Sequence, residues 1–166
     1  MFPDDIQALA AQVLDAARRR RITIATAESC TGGLVAGALT AIPGSSDVVI
    51  GGVVSYANQA KMALLDVDEG LLQTHGAVSE PVARAMAVGA LKSLDADLSV
   101  AITGVAGPGG GTADKPVGLV HFATALKGHA TTARRELFGD IGRDGVRLES
   151  VTVALGMLLA RLSDDG

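Results

Sequence analysis

The residues best suited to covalent chemistry lie together in Thr26-Ala27-Glu28-Ser29-Cys30-Thr31-Gly32-Gly33. Ser29, Cys30 and Thr31 are each a potential nucleophile, and the two hydroxyls equally suit a helix cap. On spacing alone, Ser29 reads as a cap more readily than as a nucleophile. A small-residue turn between a strand end and a helix start presents backbone N–H groups at the positive end of the helix dipole. That place suits an anion or a developing oxyanion, with the N–H groups of Cys30, Thr31 and Gly32 as candidate donors. Cys30 has no histidine tied to it in sequence and reads as a small buried hydrophobe, though covalent chemistry built on its thiol is a distinct alternative.

The flanking residues must position that turn. Ile22-Thr23-Ile24-Ala25 is apolar and β-branched, so a first strand is predicted from Ile22 to Ala27; Leu34 to about Ala41 follows as a helix, closed by Pro43-Gly44-Ser45-Ser46. Upstream, Ile6, Leu9, Ala10, Val13, Leu14 and Ala17 recur at helical spacing, predicting an amphipathic helix from Asp5 to Arg20 with Arg18–Arg21 at its C-terminal end. Downstream, Val48–Tyr56 reads as a strand whose Gly51-Gly52 pair signals a bulge or a close backbone approach. Short helices are predicted from Asn58 to Leu65, carrying Lys61, and from Asp68 to His75, ended by Gly76. Ser79-Glu80-Pro81 starts another, with Ser79 as its cap. Leu98–Thr103 is a third strand, Gly104–Thr112 the most glycine-dense loop, Val117–Leu126 and Thr131–Phe138 a hairpin, and Arg143–Leu162 a last helix. This order predicts one layered α/β/α domain over residues 1–166 with a mixed sheet.

Composition narrows the function classes. The 166 residues carry a net charge of −4, which argues against a general nucleic-acid binder. One cysteine and three histidines leave neither an internal disulfide nor a zinc constellation. The first residues lack the basic and apolar regions of a signal peptide, and no apolar run reaches spanning length, so a cytoplasmic protein with no membrane partner is expected. Small α/β enzymes commonly pair through apolar helix faces, so a homo-oligomer is expected.

Five ordered motifs then resemble one family: Ala27–Gly33; Ser55-Tyr56-Ala57-Asn58 with Lys61; His75-Gly76-Ala77-Val78-Ser79; Thr103-Gly104-Val105-Ala106-Gly107-Pro108; and Lys115-Pro116-Val117-Gly118. Together they are similar to the CinA C-terminal domain family, whose stand-alone members are nicotinamide-nucleotide amidases. The resemblance implies hydrolysis of the carboxamide of nicotinamide mononucleotide, with Ser29 as nucleophile, Lys61 as its basic partner, and Tyr56 and Thr103 at further active-site positions. It implies neither metal nor cofactor. The amino-terminal domain of full-length members has no counterpart in these residues, so its metal-dependent pyrophosphatase activity is not implied.

The chemistry is coherent independently. Amide attack by serine needs a base and oxyanion donors, and a lysine serves as the base only when burial lowers its pKa. For the phosphate end, Gly104, Gly107 and Gly109 could offer backbone N–H groups, and Arg143 or Arg147 charge. Family members tend to read Gly-Asp-Arg directly, whereas this chain reads Gly139-Asp140-Ile141-Gly142-Arg143. The alternative from another class is a nucleotide-binding or regulatory module of the same fold without turnover.

Overall fold

The computed structural model describes residues 1–163. Helix α1 (Asp4–Arg20) places acids in its first turn and arginines in its last, complementing the helix dipole, and buries Ile6, Ala10, Val13, Leu14 and Ala17. It ends at Arg21, whose left-handed backbone lets the N–H of Ile22 close back on the carbonyl of Ala17. Ile22 is therefore spent on ending the helix, and β1 runs Ile24–Glu28, shorter at its start than the apolar run predicts.

The remaining elements are α2 (Leu34–Thr40), β2 (Val49–Val54), α3 (Asn58–Leu65), α4 (Glu69–His75), α5 (Glu80–Ser93), β3 (Leu98–Gly104), β4 (Leu119–Leu126), β5 (Thr132–Leu137) and α6 (Arg143–Ser163). The sheet order is β2-β1-β3-β4-β5, with β2, β1 and β3 parallel and β3, β4 and β5 antiparallel. The sheet is mixed because the two βαβ crossovers come early and the hairpin late. Among the described residues no helix is long and apolar enough to cross a membrane.

Side-chain alternation divides the sheet into two unlike faces. Ile24, Val100, Ile102, Val120 and Phe122 meet α1, α2 and α6, whereas Ala25, Ala27, Ala101, Ala123 and Ala125 meet α3, α4 and α5. The alanine face lets α5 approach closely enough for Ser99 Oγ to donate to the carbonyl of Ala87 at 2.6 Å. Helix α5 in turn presents Gly89 to the end of α3, where any Cβ would overlap the carbonyl of Leu65.

Both expectations for the glycine pair in β2 hold. Ile24 pairs with Val49 but Ala25 with Gly51, so Ile50 is the extra residue of a bulge; a Cβ at Gly52 would overlap Thr26 Oγ1. Ser79 sits at the N-cap of α5 but does not cap it: its Oγ donates to the carbonyl of Gly76 at 2.8 Å, and the helix has no side-chain cap.

Candidate active site

The site forms where β1 ends. Ser29 N–H continues the ladder by donating to the carbonyl of Ile102, so side-chain alternation still governs this point of the chain. Glu28 turns to the α2 side of the sheet and Ser29 to the α3 side. Both are buried, Glu28 completely and Ser29 at 8% exposure.

Glu28 is the residue whose role the sequence reading passes over. Its carboxylate accepts from the backbone N–H groups of Gly33 (3.1 Å), Val35 (3.0 Å) and Ala36 (2.8 Å), and from Thr26 Oγ1 (3.3 Å). The anion at the start of α2 is thus the chain's own, and it takes the N–H groups of Gly33, Val35 and Ala36 rather than those of the turn before them. An acid just ahead of a helix start is the signal that could have found it. The anchoring leaves Gly32 and Gly33 with φ of 60° and 100°, conformations glycine adopts without strain.

Lys61 rises from α3 to meet Ser29. Its side chain is 1% exposed, and Nζ lies 3.1 Å from Ser29 Oγ, 2.7 Å from the carbonyl of Ser55 and 3.3 Å from that of Tyr56. No carboxylate pairs with it among the described residues. Burial therefore pulls the amine below its ordinary value of 10.5, against a small opposing effect from Cys30. Nζ donates to Ser29 Oγ and to the two carbonyls, so three acceptors and no anion surround the amine.

The surrounding donors only partly match the expected oxyanion set. The N–H groups of Cys30 and Thr31 make no backbone hydrogen bond, but that of Gly32 is used by the carbonyl of Ser29 at 3.0 Å and is not available. Cys30 is buried, and burial pushes its thiol up to about 12, so it stays a protonated hydrophobe at neutral pH. The hydroxyls of Thr31 and Ser55 are buried without hydrogen-bond partners among the described residues.

Other expected residues divide. Tyr56 is 62% exposed; its carbonyl holds Lys61, while its hydroxyl lies 3.3 Å from Arg143. Thr103 Oγ1 is committed to the carbonyl of Ala77 at 2.8 Å, tying β3 to the start of α5. Gly104 belongs to β3, where a Cβ would crowd Val120, so close packing explains it. Among the described residues the N–H groups of Gly107 and Gly109 have no acceptor, and the Gly107 carbonyl accepts from Arg143 at 2.8 Å. Arg143 opens α6, so Ile141-Gly142 is absorbed before the helix and the guanidinium still reaches the rim. One turn on, Arg147 approaches the carbonyl of Thr31 at 3.3 Å and lies against Gly32, covering the Ser29–Gly32 turn from the α6 side.

Two cavities lie elsewhere. One of about 500 Å³ is lined by Leu65, Arg84, Val88 and Lys92, and one of about 180 Å³ by Asn58, Met62 and Leu72; neither touches Ser29. Among the described residues no three His, Cys, Asp or Glu side chains cluster as metal ligands do.

Comparison with known proteins matches the CinA C-terminal domain model to residues 6–162. A CinA-like protein of a Synechococcus species is 53% identical over 161 residues, 97% of this chain and 39% of that protein. One of Mycobacterium avium is 56% identical over 144 residues, 85% of this chain and 33% of that protein. The chain thus spans little more than a third of the length of these relatives. Among solved structures, the competence/damage-inducible protein CihA of Agrobacterium tumefaciens is 50% identical with a TM-score of 0.95, covering 96% of this chain and 97% of that one. The competence damage-inducible protein A of Klebsiella pneumoniae is 35% identical with a TM-score of 0.92, covering 97% and 99%.

Proposed function

The chain belongs to the CinA C-terminal domain family, and from that premise we propose that it is an amidohydrolase that deamidates nicotinamide mononucleotide to nicotinic acid mononucleotide and ammonia. The observation that carries the reading is the buried contact between Ser29 Oγ and Lys61 Nζ, 3.1 Å long and free of any carboxylate. A serine needs a base to attack an amide, and a desolvated lysine held by two carbonyls is one.

In the proposed reaction the Lys61 lone pair takes the Ser29 proton as Oγ bonds to the carboxamide carbon. The N–H groups of Cys30 and Thr31 hold the resulting oxyanion. The C–N bond then breaks, and the proton on Lys61 passes to the departing nitrogen, which leaves as ammonia. Water, deprotonated by Lys61, attacks the acyl carbon; the C–Oγ bond then breaks, Lys61 returns the proton to Ser29 Oγ, and the acid leaves. Arg143 and Arg147, four residues apart on α6, face the rim and suit the substrate phosphate. The reading places the reaction in pyridine-nucleotide salvage, carried out in the cytoplasm by a homo-oligomer of this domain.

The test is ammonia release from nicotinamide mononucleotide by EDTA-treated protein, with Ser29→Ala, Lys61→Ala and Cys30→Ala in parallel. Turnover that survives EDTA and Cys30→Ala but collapses in the other two supports the Ser–Lys amidase. Saturable nucleotide binding without ammonia refutes it in favour of the binding module.

A further inference from the structure

A second group of basic side chains gathers on the α5 side of the sheet, on strands β4 and β5, two and three positions along from β1. Register places Thr103, His121 and Arg135 in one row across β3, β4 and β5. The row faces α5, because Ala101, Ala123 and Ala133, each two residues away, pack in the core on that side. Lys115 reaches the same region from the loop before β4 and donates to the carbonyl of His75 at 2.6 Å.

These groups lack counter-charges. Among the described residues Arg135 makes neither a hydrogen bond nor an ion pair, Lys115 is held only by a carbonyl, and His121 Nδ1 is buried without a partner. The nearby acid, Glu80, is bound to Arg84 at 2.8 Å. Above them α5 begins without a side-chain cap, since Ser79 bonds back to Gly76. Uncompensated positive groups beside an open helix start, in a chain of net charge −4, form a place for an anion.

We propose that His121, Arg135 and Lys115, with the uncapped start of α5, bind a phosphate group, either inorganic phosphate or the phosphate of a nucleotide. A guanidinium offers a planar fork to two phosphate oxygens, the ammonium adds a point charge, and the imidazole adds a donor once protonated. Burial, followed by the charge of Arg135, holds His121 below its ordinary value; Glu80 pulls the other way and Lys115 adds to the depression. A bound anion reverses the net field at the ring, so binding and protonation of His121 reinforce one another.

The experiment is a phosphate titration of the whole chain followed through its three histidine ring signals, with His121→Gln to assign the resonance and chloride as the ionic-strength control. Expected is a saturable shift of His121 alone, a rise of its apparent pKa by about one unit, and about tenfold weaker binding in Arg135→Ala. Lys115→Ala should weaken binding similarly, with thermal unfolding confirming that each variant is folded. A His121 signal that ignores phosphate, or a response that survives both substitutions, overturns the proposal. Nicotinamide mononucleotide added to the Lys61→Ala protein separates the two sources. If it displaces phosphate and moves His121 likewise, the site takes the phosphate of a nucleotide; if phosphate stays bound, it takes the free anion. Neither readout depends on amide hydrolysis, so failure of the amidase reading leaves this test intact.

Discussion

Replacing Glu28 should cost stability out of proportion to a single polar change. Three backbone N–H groups at the start of α2 have no acceptor but its carboxylate, at 2.8 to 3.1 Å. Each buried donor left unpaired costs about 1–3 kcal/mol. In Glu28→Gln one oxygen can still serve two of them, but the new NH2 group confronts the third donor. A loss of about 2–3 kcal/mol follows. In a domain of this size each kcal/mol lowers Tm by about 2–4 °C, so Glu28→Gln should melt roughly 4–12 °C below the parent and Glu28→Ala lower still. Thermal unfolding followed by circular dichroism at neutral pH measures this directly. A Glu28→Gln protein melting within about 1 °C of the parent would show that the cap does not hold the turn. Because Ser29 is the next residue, the same variant should lose kcat while KM stays nearly constant.

Three further outcomes follow from the same geometry. In the proposed reaction Lys61 acts as a neutral amine, so kcat/KM should rise with pH through its folded pKa, which lies below 10.5, and then level off; Lys61→Arg, which cannot lose its proton, should be inactive at every pH. The thiol of Cys30, raised to about 12, should react with iodoacetamide at pH 8 far more slowly than a free cysteine, as mass spectrometry of the intact chain would measure. Gly89→Ala should force α3 away from α5 at the carbonyl of Leu65, destabilising the fold by about 1–3 kcal/mol in a denaturant titration and lowering activity by moving Lys61, one turn earlier on the same helix.

How far the sequence carried these conclusions depended on the physics of each element. Strands β1 and β3 are legible as short apolar runs buried on both faces, and helices α1 and α6 because a period-3.6 pattern survives in them. Ile22 misleads because an apolar β-branched residue can also terminate a helix, and only the left-handed Arg21 decides between the two. Ser79 has the right type and place for a cap, yet a carbonyl three residues back takes its hydroxyl, a choice made by loop geometry. At the site, the meeting of Ser29 and Lys61 is implied only by family resemblance, since a sequence separation of 32 hides it from spacing. Gly32 has the residue type of an oxyanion donor, but its N–H closes a turn onto the carbonyl of Ser29 that no residue type announces. The row of His121 and Arg135 was invisible for a simpler reason, since strand register is not written in either strand alone.

The amine of Lys61 is steered by two main-chain carbonyls, at 2.7 and 3.3 Å. In a hydrolase whose base is oriented by a third side chain, one codon change at that third position disables it. Here the orienting atoms belong to Ser55 and Tyr56 whatever side chains those positions carry. A saturation-mutagenesis map should therefore be intolerant at Ser29 and Lys61 yet permissive at Tyr56, provided the backbone path survives. The apparatus would be robust to drift around it, and sequences could diverge widely along its rim without losing the alignment of the pair.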